Sequence, residues 1–181
     1  MTPAQLQKYN AEPIISSSGT ITGYAFSPMS NGVKYFVDNF GNDLLKAINN
    51  SGIFFATAAA QKMYESGFGN SINAVKYNNF GGIKYGSGLA GSVGKTPTGY
   101  AIFSTPFDCF SVYVNHVLKD PTKKYLAMGL LNAKTPVEQI MIIAKGGYCE
   151  NPPDPNVYAR PIIKLINLVT NMYPTFGKVN G

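Results

Sequence analysis

Glu65 is the acidic residue best placed in this chain to do chemistry. No other Asp or Glu occurs between Asp43 and Asp108. The run Ala56 to Tyr64 is built of good helix formers, and Gly67 supplies the stop, so Glu65 falls in the last turn of a predicted helix. A helix C-terminus is the negative end of the dipole and disfavours a carboxylate. Partial burial acts in the same direction. Both effects favour the protonated carboxyl, which is what a general acid needs. The competing reading of such a residue is a solvated glutamate near a helix end.

The elements around Glu65 can be read from pattern. Residues 31–50 carry Val33, Phe36, Val37, Phe40, Leu44, Leu45 and Ile48 at helical spacing, broken at Gly41. Residues 53–66 form the Glu65 helix, with Phe54, Ala58, Gln61 and Tyr64/Glu65 expected to face the fold. Residues 67–105 are glycine-rich. There Ile83-Lys84-Tyr85 and Tyr100-Ala101-Ile102-Phe103 read as strands around a long loop. Thr105-Pro106 is an N-cap followed by Pro at the first helical position, with Asp108 at the favoured end of the dipole. Thr122 is expected to cap a short helix through Met128. Thr135-Pro136-Val137-Glu138 has a capping-box pattern for a helix through Lys145. Pro155 to Met172 reads as a final helix. Residues 1–30, punctuated by Pro13, Ser16-Ser17-Ser18-Gly19 and Pro28, read as an extended arm or linker ahead of a domain over 31–181.

Composition sets the bounds. The chain of 181 residues, 45% apolar, is long enough for one well-built core. Only 13% of residues are charged, while 12 Tyr and 11 Phe supply neutral polar and aromatic surface of the kind that carbohydrate sites use. The net charge of +6 suits an anionic polymer, and cell wall fits better than nucleic acid. No nucleic-acid motif is present, and Lys62, Lys76, Lys84, Lys95, Lys119, Lys123 and Lys124 are scattered. One histidine, His116, lies in an apolar helical pattern and reads as a structural residue, so no metal or other cofactor is expected. Cys109 and Cys149 read as buried thiols by default, with a disulfide as the alternative. No run approaches the roughly 18 apolar residues of a membrane span, and the N-terminus has no apolar segment of signal-peptide type.

The segments that flank Glu65 carry a resemblance. Gln61-x3-Glu65-Ser66-Gly67-Phe68-Gly69-x-Ser71, then Asn78-Asn79-Phe80-Gly81-Gly82-Ile83-Lys84, resembles the glucosaminidase family of peptidoglycan hydrolases. That family includes flagellar-type enzymes, autolysin domains and phage lysins. Gly146-Gly147-Tyr148 through Pro155-Asn156-Val157-Tyr158 is similar to the family's Gly-Tyr…Asp-Pro-x-Tyr stretch, with residues inserted. Phe103 to Phe110 is similar to the segment that opens the family's next helix. The matches occur in the family's order over residues 50–172.

The resemblance implies a lysozyme-like α+β fold, mostly helical, with a small β-hairpin lobe flanking a substrate groove. It implies cleavage of the β-1,4 bond after N-acetylglucosamine in peptidoglycan glycan strands, with Glu65 as the acid. The family's second acidic residue in the β lobe is missing here, where the strand reads Thr98-Gly99-Tyr100. Two routes remain. The substrate's own 2-acetamido group serves as nucleophile with Tyr148 orienting it, or Glu150 or Asp154 is the second acid/base. Asp154, as Asp-Pro-Asn before a helix, also reads as a cap. Asn79, Phe80 and Gly81 are expected on the cleft floor or in a tight turn, and Tyr85 and Tyr100 at its flanks. Tyr158 is expected as a sugar platform or a core aromatic. Ser66 and Ser71 are expected to position the loop. The other readings are a muramidase or lytic transglycosylase of the same fold, and a non-catalytic wall-binding or virion module. A wall-acting chain without a leader is expected to leave the cytoplasm by phage particle, holin or secretion machinery, or to have lost its signal. Residues 1–30 are then the segment that docks on such an assembly.

Overall fold

The computed structural model describes residues 1–86, 89–149 and 154–176. It is a mostly helical α+β fold with two small antiparallel sheets. Its central element is α3 (Phe55–Ser66), in which every residue from Phe55 to Met63 is buried. An alanine-rich, largely apolar helix belongs inside, and α3 is packed by α2 (Met29–Ile48), α7 (Pro136–Lys145) and α8 (Pro155–Met172). Its start carries no side-chain cap of its own. The Phe54 N–H donates instead to Oε1 of the buried Gln139 on α7 at 2.9 Å, and the Thr57 hydroxyl donates to the Pro136 carbonyl at 3.0 Å. The other end is local: Gly67 adopts φ 56° and closes α3 through its N–H to the Met63 carbonyl.

The loop after Gly67 is tied by Ser66, whose hydroxyl donates to the Lys62 carbonyl at 2.5 Å and accepts from the Gly69 N–H at 2.8 Å. Gly69 has φ 82°, and a β-carbon there would lie 2.5 Å from Phe40 Cε2, so only glycine fits. Ser71 accepts from the Ala74 N–H and caps α4 (Ile72–Tyr77). Phe40, Phe80, Phe36 and Phe110 then pack as one aromatic group, with centroids 4.8 Å apart for Phe40–Phe80 and 5.0 Å for Phe80–Phe110.

The β lobe pairs β3 (Ser92–Lys95) with β4 (Ala101–Phe103). The expected strand at 83–85 reduces to a single bridge, Lys84 to Tyr100. Next come α5 (Pro106–Val112), which opens on the Thr105/Asp108 capping box, and a π-helical stretch over Tyr113–Leu118. The short α6 (Lys124–Ala127) begins at Lys123, while Thr122 bonds to Asp120 rather than capping it. Thr135 caps α7 and Asp154 caps α8.

Four more expectations change. Residues 1–30 are folded: α1 (Pro3–Lys8) leads into a hairpin of β1 (Ala11–Ile15) and β2 (Ile21–Phe26). The hairpin is held to α2 by Tyr9, Phe26 and Tyr35, with the Tyr9 hydroxyl 2.9 Å from Asp38 Oδ2. The helix over 31–50 runs through Gly41 without a break, its bare α-carbon giving room to Val37 Cγ1, 3.1 Å from where a β-carbon would stand. His116 is exposed on the π-helical stretch rather than built into the core. Tyr64 is also exposed, because α3 is covered on its other faces. Cys109 is a buried thiol that accepts the Phe80 N–H at 3.3 Å, and burial pushes it up to about 11 against the pull of the Lys62 charge.

Candidate active site

Glu65 is clamped at both carboxyl oxygens. Oε1 accepts from the Tyr158 hydroxyl at 2.7 Å and from Gln61 Nε2 at 3.2 Å. Oε2 accepts from Lys62 Nζ at 2.6 Å and from the Tyr148 hydroxyl at 3.2 Å. The donors come from three places: α3 itself, the turn before α8, and α8. Residues 61 and 62 precede Glu65 by one helical turn, which puts their side chains beside its own. Gln61 is oriented from behind, because its Oε1 accepts from the Tyr113 hydroxyl. That leaves Nε2 to donate to both the Tyr158 hydroxyl, at 2.8 Å, and Glu65. The chain Tyr113 to Gln61 to Tyr158 to Glu65 is therefore directional, each hydroxyl or amide donating onward.

The lone carboxyl in a neutral helix does not survive folding. Lys62 is wholly buried, its side chain 0% exposed against 13% for Glu65. The ammonium lies 3.9 Å from the centroid of the Tyr113 ring and donates to the Tyr148 hydroxyl at 3.2 Å. Lys62 thus leaves the set of scattered surface lysines. The signal that marks it in the sequence is a charge set among buried alanines, three residues before the only acid in the segment.

The surrounding phenols are held in their protonated, donating form. Burial raises Tyr113 and Tyr148 well above the ordinary tyrosine value, and the charge of Glu65 adds to it. Tyr158 is raised in the same way, by burial and then by Glu65. Tyr125 on α6 is raised for the same two reasons.

The other expected site residues divide. Tyr148 joins Glu65, and so does Tyr158, as a buried hydrogen-bond donor rather than a sugar platform. Gly81 lies against the pair, where an added β-carbon would run into Lys62 Nζ and stand 3.1 Å from Glu65 Oε2. Asn79 and Phe80 are each 1% exposed, so neither side chain forms a cleft floor. Asn79 staples the β lobe: Nδ2 donates to the Ile83 and Ala101 carbonyls at 2.9 Å each, and Oδ1 accepts the Ile83 N–H at 2.9 Å. Phe80 is core. Tyr85 is exposed, and Tyr100 is half-buried with Lys84 Nζ 3.6 Å over its ring. Asp154 Oδ1 accepts from the Asn156 N–H at 2.8 Å and Nδ2 at 3.1 Å, and Asp154 lines a hollow of about 430 Å³ with Met141, Arg160 and Lys164. It is a cap, away from the hydrogen bonds of Glu65. Glu150 lies outside the described residues. Among the described residues, no second carboxylate takes part in the Glu65 cluster, and no group of His, Cys, Asp and Glu could hold a metal ion.

A sequence profile of the glucosaminidase family, described as mannosyl-glycoprotein endo-beta-N-acetylglucosaminidase, matches residues 41–171. The chain belongs to the glucosaminidase family. This glucosaminidase resembles, among solved structures, the glycoside hydrolase domain of FlgJ from Salmonella typhimurium, at 22% identity and TM-score 0.59, over 78% of this chain and 91% of that one. It also resembles the catalytic domain of the autolysin Auto from Listeria monocytogenes, at 19% identity and TM-score 0.59, over 88% and 99% of the two chains. A type VI secretion effector–immunity complex from Pseudomonas protegens shares the fold at 15% identity and TM-score 0.57, over 80% and 96%. No curated protein sequence matches the chain. The family assignment makes the protein a glycoside hydrolase, and the four-donor cluster around Glu65 lies inside the matched region.

Proposed function

We propose that this protein hydrolyses peptidoglycan at the β-1,4 bond after N-acetylglucosamine, with Glu65 as general acid and the substrate's 2-acetamido group as nucleophile. The observation that carries the reading is a clamped, 13% exposed carboxyl within a glucosaminidase-family region. Glu65 gives its proton to the leaving glycosidic oxygen as the C1–O bond breaks. The acetamido oxygen bonds to C1 from the opposite face and forms an oxazolinium ion. Water then attacks C1, the ring opens, and Glu65 takes the water's proton back. This route needs one carboxylate, which agrees with a cluster of one acid, the Lys62 cation and three neutral donors among the described residues. Tyr148 and Tyr158 hold the carboxyl in place, and Tyr85 and Tyr100 offer aromatic surface on the lobe.

The site of action is the cell wall, outside the cytoplasm. No helix among the described residues is long and apolar enough to cross a membrane. The folded hairpin at the N-terminus, with Ile14, Ile15 and Ile21 exposed, is the element we assign to docking on a phage or secretion assembly.

The test is digestion of purified peptidoglycan by wild type and Glu65→Gln, with mass spectrometry of the fragments. Reducing N-acetylglucosamine ends from the wild type alone are expected. Reducing or anhydro N-acetylmuramic ends would make it a muramidase or transglycosylase. Binding without products would make it a wall-binding module.

A further inference from the structure

Lys62 calls for a reason. Lysine is almost never fully buried, and taking its charge out of water costs several kcal/mol unless it is well paired. Its neighbours Ala58, Ala59 and Ala60 show that small apolar side chains satisfy the packing of α3. A buried ion pair adds little stability over apolar residues of similar size. The ammonium nevertheless has a prepared place: under the bare α-carbon of Gly81, over the Tyr113 ring, and 2.6 Å from Glu65 Oε2.

We propose that Lys62 is a positioning residue for Glu65, fixing its carboxyl through Oε2 and stabilising the charge left there when the proton departs. The inference rests on the reading of Glu65 as general acid. The titratable groups that face or sense Glu65 are Lys62 on α3, Cys109 on α5, Tyr113 on the π-helical stretch, Tyr125 on α6, Tyr148 in the turn before α8, and Tyr158 on α8. Burial keeps the phenols and the thiol neutral. Among the described residues Lys62 is therefore the cation in contact with the carboxyl.

An adjacent cation stabilises the negative charge that appears on Glu65 as the proton leaves, which speeds the step.

The experiment compares wild type with Lys62→Met, which keeps the stem and removes the charge, and with Lys62→Gln, which keeps a neutral donor should the first fail to fold. Two quantities are read: kcat and KM of reducing-end release from peptidoglycan, and the carbon-13 NMR signal of the Glu65 side-chain carboxyl at one fixed pH, assigned with Glu65→Gln. The expected result is a kcat lower by about ten-fold or more with KM nearly unchanged. The Glu65 carboxyl signal should move, because Oε2 has lost its ion-pair partner. A folded variant with wild-type kcat and an unmoved carboxyl signal overturns the proposal. If the wild type itself releases no reducing ends, the reading of the reaction fails, and the carboxyl signal still decides the role of Lys62.

Discussion

The hydroxyl of Tyr158 donates to Glu65 Oε1 at 2.7 Å, although 93 residues separate the two in the chain. The contact exists because α8 packs on α3 along its length, and Tyr158, near the start of α8, is turned inward beside Gln61. The same hydroxyl accepts from Gln61, so its hydrogen is committed to Glu65.

Tyr158→Phe keeps the ring and removes only that donor. Hydrogen bonds to charged groups are worth roughly 1.5–3 kcal/mol. The variant is expected to fold normally by circular dichroism and to lose about ten- to hundred-fold in kcat on peptidoglycan. Wild-type kcat would mean that Glu65 is held well enough by its other three donors.

Gly81→Ala tests the close approach on the opposite side of the carboxyl. The added methyl would meet Lys62 Nζ and Glu65 Oε2, and neither can yield without breaking the ion pair. Overpacking of this kind costs about 1–3 kcal/mol. Cleavage should fall sharply, with a lower melting temperature. Unchanged activity and melting would show that the pair has room to move.

Asn79→Ala separates the structural role of this side chain from a substrate contact. It takes the side-chain partner from the buried Ile83 N–H and Ala101 carbonyl, while the Ile83 carbonyl keeps the Ala101 N–H. The loss is expected to be about 2 kcal/mol or more, a fall in Tm of roughly 5 °C. KM of the folded fraction should stay as in the wild type. A raised KM with unaltered Tm would return Asn79 to the substrate.

Asp38 links the N-terminal hairpin to pH. Burial pushes its carboxyl up, but hydrogen bonds from Tyr9, Lys34 and Lys8 outweigh this and hold it below the ordinary value of 3.8. A depressed folded value gives stability that is fully present above 3.8 and is lost as pH falls through the folded value. Acid melting curves of wild type should therefore drop more steeply below that point than those of Asp38→Asn. Parallel curves would show that the hairpin contact contributes nothing to acid sensitivity.

The helices were legible because their ends rest on local chemistry. Gly67 after an alanine-rich run, Thr105-Pro106 with Asp108, Thr135-Pro136 and Asp154-Pro155 each mark an end through bonds that span at most four residues. The N-terminal hairpin was not legible. Its strands have mostly exposed side chains and no strong alternation, and it is held by Tyr9 and Phe26 meeting Tyr35 on α2.

The sequence by itself determined the helix-forming segments, the glycine-dependent turn after Glu65, and the family that these motifs resemble. Only the tertiary structure decided what surrounds the carboxyl. Tyr148 and Tyr158 reach Glu65 from 83 and 93 residues away. Lys62 changes from an ordinary surface charge to a buried partner because α2, α7 and α8 close over α3. Helix ends depend on neighbours within a turn, whereas burial of a charge depends on what the rest of the chain packs around it.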